Sequence, residues 1–267
     1  MSFAATPIAR PGAPLARRNP VAKLAAGFLL TGCLIATLDP VAPTVALVLE
    51  LAALPLFGVR LRDLARRAVP LLFAVLGIFV TLILFGADRS GPVLVSAGPI
   101  TVTTGILDSA LALSLRVLAI SLPGVLVFAT TDATDLADAL VQNVRAPARF
   151  AIGALAAFRL LPLLGNEWRL LALARRARGV DAGGNPVTRI RIFASTMFTL
   201  LVVAIRRGTR LATAMDARGF DAGTARSIAR PQRFGPADVG LVLAGALVGA
   251  VSIAVSIRLG TFDPLLA

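Results

Sequence analysis

Apolar residues run along this chain in blocks too long and too free of charge for a soluble fold. Four such blocks come early, at 23–38, 41–57, 68–86 and 105–130, and a fifth lies at 237–257, uncharged after Asp238. A membrane-spanning helix needs about 20 mostly apolar residues, so the pattern predicts an all-α, polytopic membrane protein of about five transmembrane helices. The first two blocks are short and meet at "LDPVAP", whose prolines cannot continue a helix. A hairpin that stops short of a full crossing is the alternative for that pair.

Charge sets the direction of the spans, because arginine and lysine collect on the cytoplasmic side. Arg10, Arg17, Arg18 and Lys23 precede or open the first block, and Arg60, Arg62, Arg66 and Arg67 follow the second. The link after the third block, "GADRSGPVLVSAGPITVTT", carries just Asp88 and Arg89 and reads as external. Alternation then places the N-terminus and residues 131–235 inside and the C-terminus outside. The basic N-terminal stretch resembles a signal peptide at first sight. However, the apolar run ends in "ATLDPVAPTV" with no convincing small-x-small cleavage site before it, so the first block is expected to stay as an uncleaved helix.

Residues 131–235 hold two more apolar stretches, "FAIGALAAFRLLPLLG" and "IFASTMFTLLVVAI". As crossings they would export Arg169, Arg175, Arg176, Arg178, Arg189 and Arg191, against the charge rule. The preferred expectation is long amphipathic helices lying under or against the bilayer; two added crossings are the alternative. The chain thus divides into N-terminal spans (1–130), a cytoplasmic helical region (131–235) and a C-terminal span (236–267).

Composition narrows the chemistry. Hydrophobic residues make up 57% and charged ones 15%, with a formal net charge of +13; soluble domains carry about 25% charged residues. Nucleic acid is not the expected partner of the excess charge, since tyrosine is absent and no basic–aromatic pattern occurs. Histidine is absent and Cys33 is the single cysteine, which excludes Ser-His-Asp and Cys-His centres and a zinc site of the usual kind. Cys33, in "LLTGCLIA", reads as a small core residue.

One heptapeptide nearly repeats: "ARGVDAG" at 177–183 and "ARGFDAG" at 217–223. Each follows a run of good helix formers. Gly179 and Gly219 can take the left-handed conformation that closes a helix, and Asp181 and Asp221 begin a turn composition. Arginine beside the last carbonyls of a helix is ordinary capping chemistry. The repetition argues for more, namely two equivalent helix tips suited to a partner that comes as a pair.

With these residues the chain resembles the transmembrane T component of energy-coupling factor (ECF) importers. That family's hallmark is a pair of Ala-Arg-Gly motifs ending cytoplasmic coupling helices, here Ala177-Arg178-Gly179 and Ala217-Arg218-Gly219. The approaches "TDATDLADALVQNVRAP", "AFRLLPLLGNEWRLLALARRARG" and "RGTRLATAMDARGF" are similar to the family's, as is "LARRNPVAKLAA" at the first span.

The resemblance implies a non-catalytic subunit of the bacterial cytoplasmic membrane that docks two ABC-type ATPases and a substrate-binding S component. Arg178 and Arg218 would enter grooves on the ATPases and meet acidic side chains, a role that suits a planar, always-charged fork of donors. Ala177 and Ala217 would keep the tips slim, and Gly179 and Gly219 would turn the backbone away. ATP would be held by the partners and no cofactor by this chain. ATP closure would move the two tips, and a run such as 190–217, about 42 Å if continuous, would carry the motion to the membrane. Substrate choice would rest with the S component, leaving biotin, cobalt, nickel or another vitamin open.

Other residues have local readings. Pro70, Pro123 and Pro162 are expected to bend helices, with a hinge as the sharper alternative. Trp168 suits a membrane interface, and Glu167 is expected to pair with Arg169 or Arg175. Asp108 sits near an outer end, whereas Arg116 is deeper and a candidate for function. Gly245 and Gly249 form a small-xxx-small stripe for close packing within the subunit or against the S component. Two other function classes compete with that of a coupling subunit. A membrane enzyme would need a carboxylate cluster, and Asp132, Asp135 and Asp138 read better as caps and first-turn acids. A self-sufficient transporter would need intramembrane polar sites, which are sparse here.

Overall fold

The computed structural model describes residues 13–59, 61–86, 90–97, 100–180, 183–220 and 228–264. Arg10, Arg60, Asp88, Arg89, Asp181 and Asp221 lie outside them. In chain order the elements are α1 (Pro20–Ile35), α2 (Val41–Phe57), α3 (Leu61–Phe85), β1 (Val93–Ala97), β2 (Ile100–Thr103), α4 (Thr104–Thr130), α5 (Ala133–Asn143), α6 (Ala148–Ala177), α7 (Pro186–Ala217) and α8 (Pro236–Arg258). The expected all-α, polytopic class holds. One small antiparallel hairpin, β1–β2, occupies the link read as an external loop.

Five helical segments among the described residues are long and apolar enough to cross a membrane: Arg62–Phe85, and the whole of α4, α6, α7 and α8. The helices α1 and α2 fall short at 16 and 17 residues, in line with an incomplete hairpin. By length and composition α6 and α7, expected as long helices, also meet the spanning requirement. Pro70, Pro123 and Pro162 all sit inside continuous helices.

The contacts divide the chain into two units. In the unit containing α1–α5 and α8, the core is made of small and aliphatic residues. Leu30 and Leu34 of α1 meet Ala42 and Ala46 of α2 and Ala119 of α4. A second cluster gathers Leu54, Val59, Leu64, Leu122 and Leu126. The helices α1 and α8 pack closely side by side. A Cβ placed on Gly245 would stand 2.7 Å from the Ala26 carbonyl oxygen, and one on Gly249 would stand 2.7 Å from Cys33 Sγ. The small-residue stripe therefore serves packing within the chain, and Cys33 is part of that contact.

Polar ties fasten both ends of the α1–α8 pair. At one end Asp238 accepts from the Asn19 amide (2.9 Å) and from the Gly235 amide (2.8 Å), capping α8 while holding the start of α1. Lys23 adds α4 to this end. Its buried ammonium donates to the Ala16 carbonyl (2.7 Å) and to the Thr130 carbonyl and hydroxyl (both 3.2 Å). At the other end the Leu38 amide donates to the Asp263 carbonyl at 2.7 Å. Arg116 reaches the Asp39 carbonyl at 3.5 Å, so this deep arginine ties α4 to the α1–α2 turn. Asp108 is exposed. Asp132 caps α5 by accepting from the Thr134 amide (2.7 Å) and Asp135 lies in the first turn, as read from the sequence; Asp138 falls beyond it.

Lys23→Met keeps the aliphatic stem and strands two carbonyls. The expected loss is about 1–3 kcal/mol, measured as a lower thermal midpoint in detergent. An unchanged midpoint would mean that solvent replaces the ammonium at no cost.

Candidate docking tips on the long helix pair

The second unit is built on α6 and α7. Each begins and ends for a local reason. Pro147 precedes α6, and its last turn carries Arg175 and Arg176. Asn185 caps α7 by accepting from the Val187 amide (2.9 Å), and Pro186 takes the first position, where its missing N–H costs nothing.

The two Ala-Arg-Gly motifs close their helices in the same way. Ala177 and Ala217 are the last helical residues. Arg178 has φ −90° and ψ 7°, and Arg218 has φ −92° and ψ 8°. Gly179 and Gly219 are left-handed, at φ 71° and 70°. The Gly179 amide donates to the Arg176 carbonyl (2.9 Å) and the Val180 amide to the Arg175 carbonyl (3.0 Å). The Gly219 amide donates to Asp216 (2.9 Å) and the Phe220 amide to Met215 (3.1 Å). This paired closure satisfies the final carbonyls with backbone donors alone, so neither arginine side chain is consumed as a cap.

Both arginines are exposed, and neither has a side-chain partner among the described residues. A Cβ on Gly179 would meet nothing within 4 Å. Glycine is required there by the positive φ, not by crowding. The motifs thus present two bare guanidiniums on rigid, slim helix ends.

Side-chain ties show where the two helices meet. Arg175 Nη1 donates to the Ile192 carbonyl at 2.8 Å. Trp168 meets Phe193 edge-on, with ring centroids 5.5 Å apart. Glu167 pairs with Arg207. Trp168 and Arg175, about two turns apart on α6, thus both meet the Ile192–Phe193 stretch of α7, and the C-terminal part of α6 crosses the beginning of α7. The first tip accordingly lies near the beginning of α7 and the second at its end. With Arg175 level with Ile192, about 26 residues of α7 separate the tips, or about 40 Å.

The Glu167–Arg207 pair corrects the sequence expectation of Arg169 or Arg175 as partner. Neighbours on one helix compete with a side chain that just the folded pair brings near. Trp168, read as an interface residue, packs into this same seam.

The chain is similar to known proteins. The family model described as cobalt transport protein, CbiQ, matches residues 12–228, a span that contains both motifs. The energy-coupling factor transporter transmembrane protein EcfT of Exiguobacterium sibiricum is 31% identical over 192 residues, covering 69% of this chain and 72% of that protein. The protein of the same name from Staphylococcus aureus is 30% identical over 219 residues, covering 78% and 80%. EcfT 1 of Listeria monocytogenes is 28% identical over 213 residues, covering 77% and 79%.

Proposed function

Since the chain belongs to the CbiQ family, the transmembrane components of energy-coupling factor transporters, we propose that it is the coupling subunit of a vitamin or transition-metal importer in a bacterial cytoplasmic membrane. Arg178 and Arg218 each dock one ABC-type ATPase, flanked by Ala177 and Gly179 on one tip and by Ala217 and Gly219 on the other. ATP is held by those partners. A separate membrane S component carries the substrate.

The observation that carries this reading is the pair of like-closed tips, one near the beginning of α7 and one at its end, whose arginines have no side-chain partner among the described residues. If α6 and α7 stood across the membrane, the tips would face opposite compartments and could not serve one motor. Lying along the cytoplasmic surface, they face the same compartment about 40 Å apart, a spacing for two ATPase subunits side by side. The N-terminus and residues 131–235 are then cytoplasmic. A change in ATPase separation on nucleotide binding pulls the tips relative to one another, and the rigid helices transmit it. The family's description names cobalt, the relatives' names give no substrate, and specificity is assigned to the S component.

Purification of the tagged chain from its own membranes in mild detergent tests the proposal. The expected result is co-purification of an ATPase pair and a small membrane protein, with the imported molecule identifiable by mass spectrometry. Recovery of a transport-competent chain without ATPase would overturn it in favour of a self-sufficient transporter.

A further inference from the structure

We propose that the cleft between the C-terminal end of α6 and the beginning of α7 binds the headgroup of an anionic phospholipid. The cleft has a volume of about 340 Å³, within the range of about 300–1,000 Å³ usual for small-ligand sites. Its apolar lining includes Trp168, Ala172 and Phe193, and its charged lining is Arg175, Arg176 and Arg189. Among the described residues no acidic side chain lines it. Glu167, one residue from Trp168, is engaged by Arg207.

Among the described residues a second feature adds to the positive charge there. Arg189 lies in the first turn of α7, which holds no acidic residue. The N-terminal end of a helix is itself electropositive, so an arginine there is unfavourable until an anion arrives. Arg175 spends one donor on the Ile192 carbonyl, which fixes its plane and leaves other donors free. A phosphate diester accepts from such forks in bidentate fashion.

An acidic protein side chain would answer the arginines and leave the aromatic lining bare. A lipid answers both, with phosphate at the arginines and glycerol and upper chain against Trp168 and Phe193. Tryptophan favours this headgroup level, and basic pockets between helices on the cytoplasmic side hold anionic lipids. The site is distinct from the docking role proposed above, since neither Arg178 nor Arg218 lines the cleft.

Trp168 is the single tryptophan of the chain, so its emission reports this cleft directly. The intact protein in zwitterionic detergent is titrated with phosphatidylglycerol or phosphatidylcholine brominated on the upper acyl chain. Phosphatidylglycerol is expected to quench Trp168 at a several-fold lower mole fraction. Arg176→Gln with Arg189→Gln should raise the half-quenching fraction about 25-fold, at about a factor of five per arginine. Arg189→Lys should keep most of the preference. Arg178→Gln with Arg218→Gln should leave it unchanged, whatever happens to ATPase docking. Equal quenching by the two lipids, or an unaltered preference in the Arg176/Arg189 variant, would overturn the proposal. Full reversal of quenching by inorganic phosphate would overturn it too, by showing a site for a free anion.

Discussion

Replacing Arg178 and Arg218 together by alanine is expected to abolish uptake while the protein stays inserted at normal abundance. A charge-assisted hydrogen bond contributes about 1.5–3 kcal/mol, so losing both contacts weakens docking by about 10²- to 10⁴-fold. Abundance should hold because the helix ends are closed by backbone amides and both guanidiniums are exposed and partner-free among the described residues. The measurement is substrate uptake by cells together with recovery of the ATPases on the tagged chain. Full uptake by the double variant would show that the tips are not the docking elements. A fall in protein level with docking intact per molecule would instead reveal a capping role. Arginine-to-lysine variants should recover part of the loss, since lysine keeps the charge and gives up the planar fork.

Gly245→Leu is expected to cost at least 3 kcal/mol, the upper end of what overpacking usually costs (about 1–3 kcal/mol). Even a methyl at this position would stand 2.7 Å from the Ala26 carbonyl oxygen and 2.9 Å from Ala26 Cα. Those neighbours are backbone, so relief requires α1 and α8 to move apart. The polar ties at both ends of that pair resist the movement: Asn19 on Asp238 at one end and Leu38 on Asp263 at the other. The thermal midpoint in detergent should fall steeply and Cys33, now half-buried against Gly249, should become more reactive to maleimide. Gly240→Leu is the control, because Gly240 is exposed and a Cβ there would meet nothing within 4 Å. Equal stability of the two variants would show that the stripe does not set the packing distance.

Several of these features are local and could be read from the chain. Gly179 and Gly219 announce left-handed closures because glycine alone takes positive φ without cost, and both were found there. Asp132 caps α5 through an oxygen two residues from its target amide. Pro40 of "LDPVAP" stands at the N-cap of α2, and Pro43 falls in its first turn, where a missing N–H costs nothing. The Gly245–Gly249 stripe named a close contact, though not its partner.

Other features depend on residues far apart in sequence. Glu167 lies 40 residues from Arg207, and Lys23 lies 107 from Thr130; neither spacing belongs to a local pattern. The β1–β2 hairpin was read as loop, because strands of five and four residues give alternation too brief to stand out from a loop.

The sequence by itself determined the helical, membrane-embedded class, the family and the two helix tips, since long apolar runs, glycine closures and arginine placement act within a few turns of one helix. The tertiary structure decided what those elements face. It set Gly245 against Ala26, paired Glu167 with Arg207, crossed the C-terminal part of α6 with the beginning of α7, and gathered Arg175, Arg176 and Arg189 with Trp168 around one cleft. The physical reason is range: a cap or a span is fixed by bonds between near neighbours, whereas a seam between helices is selected by which faces fit once the chain has folded back on itself.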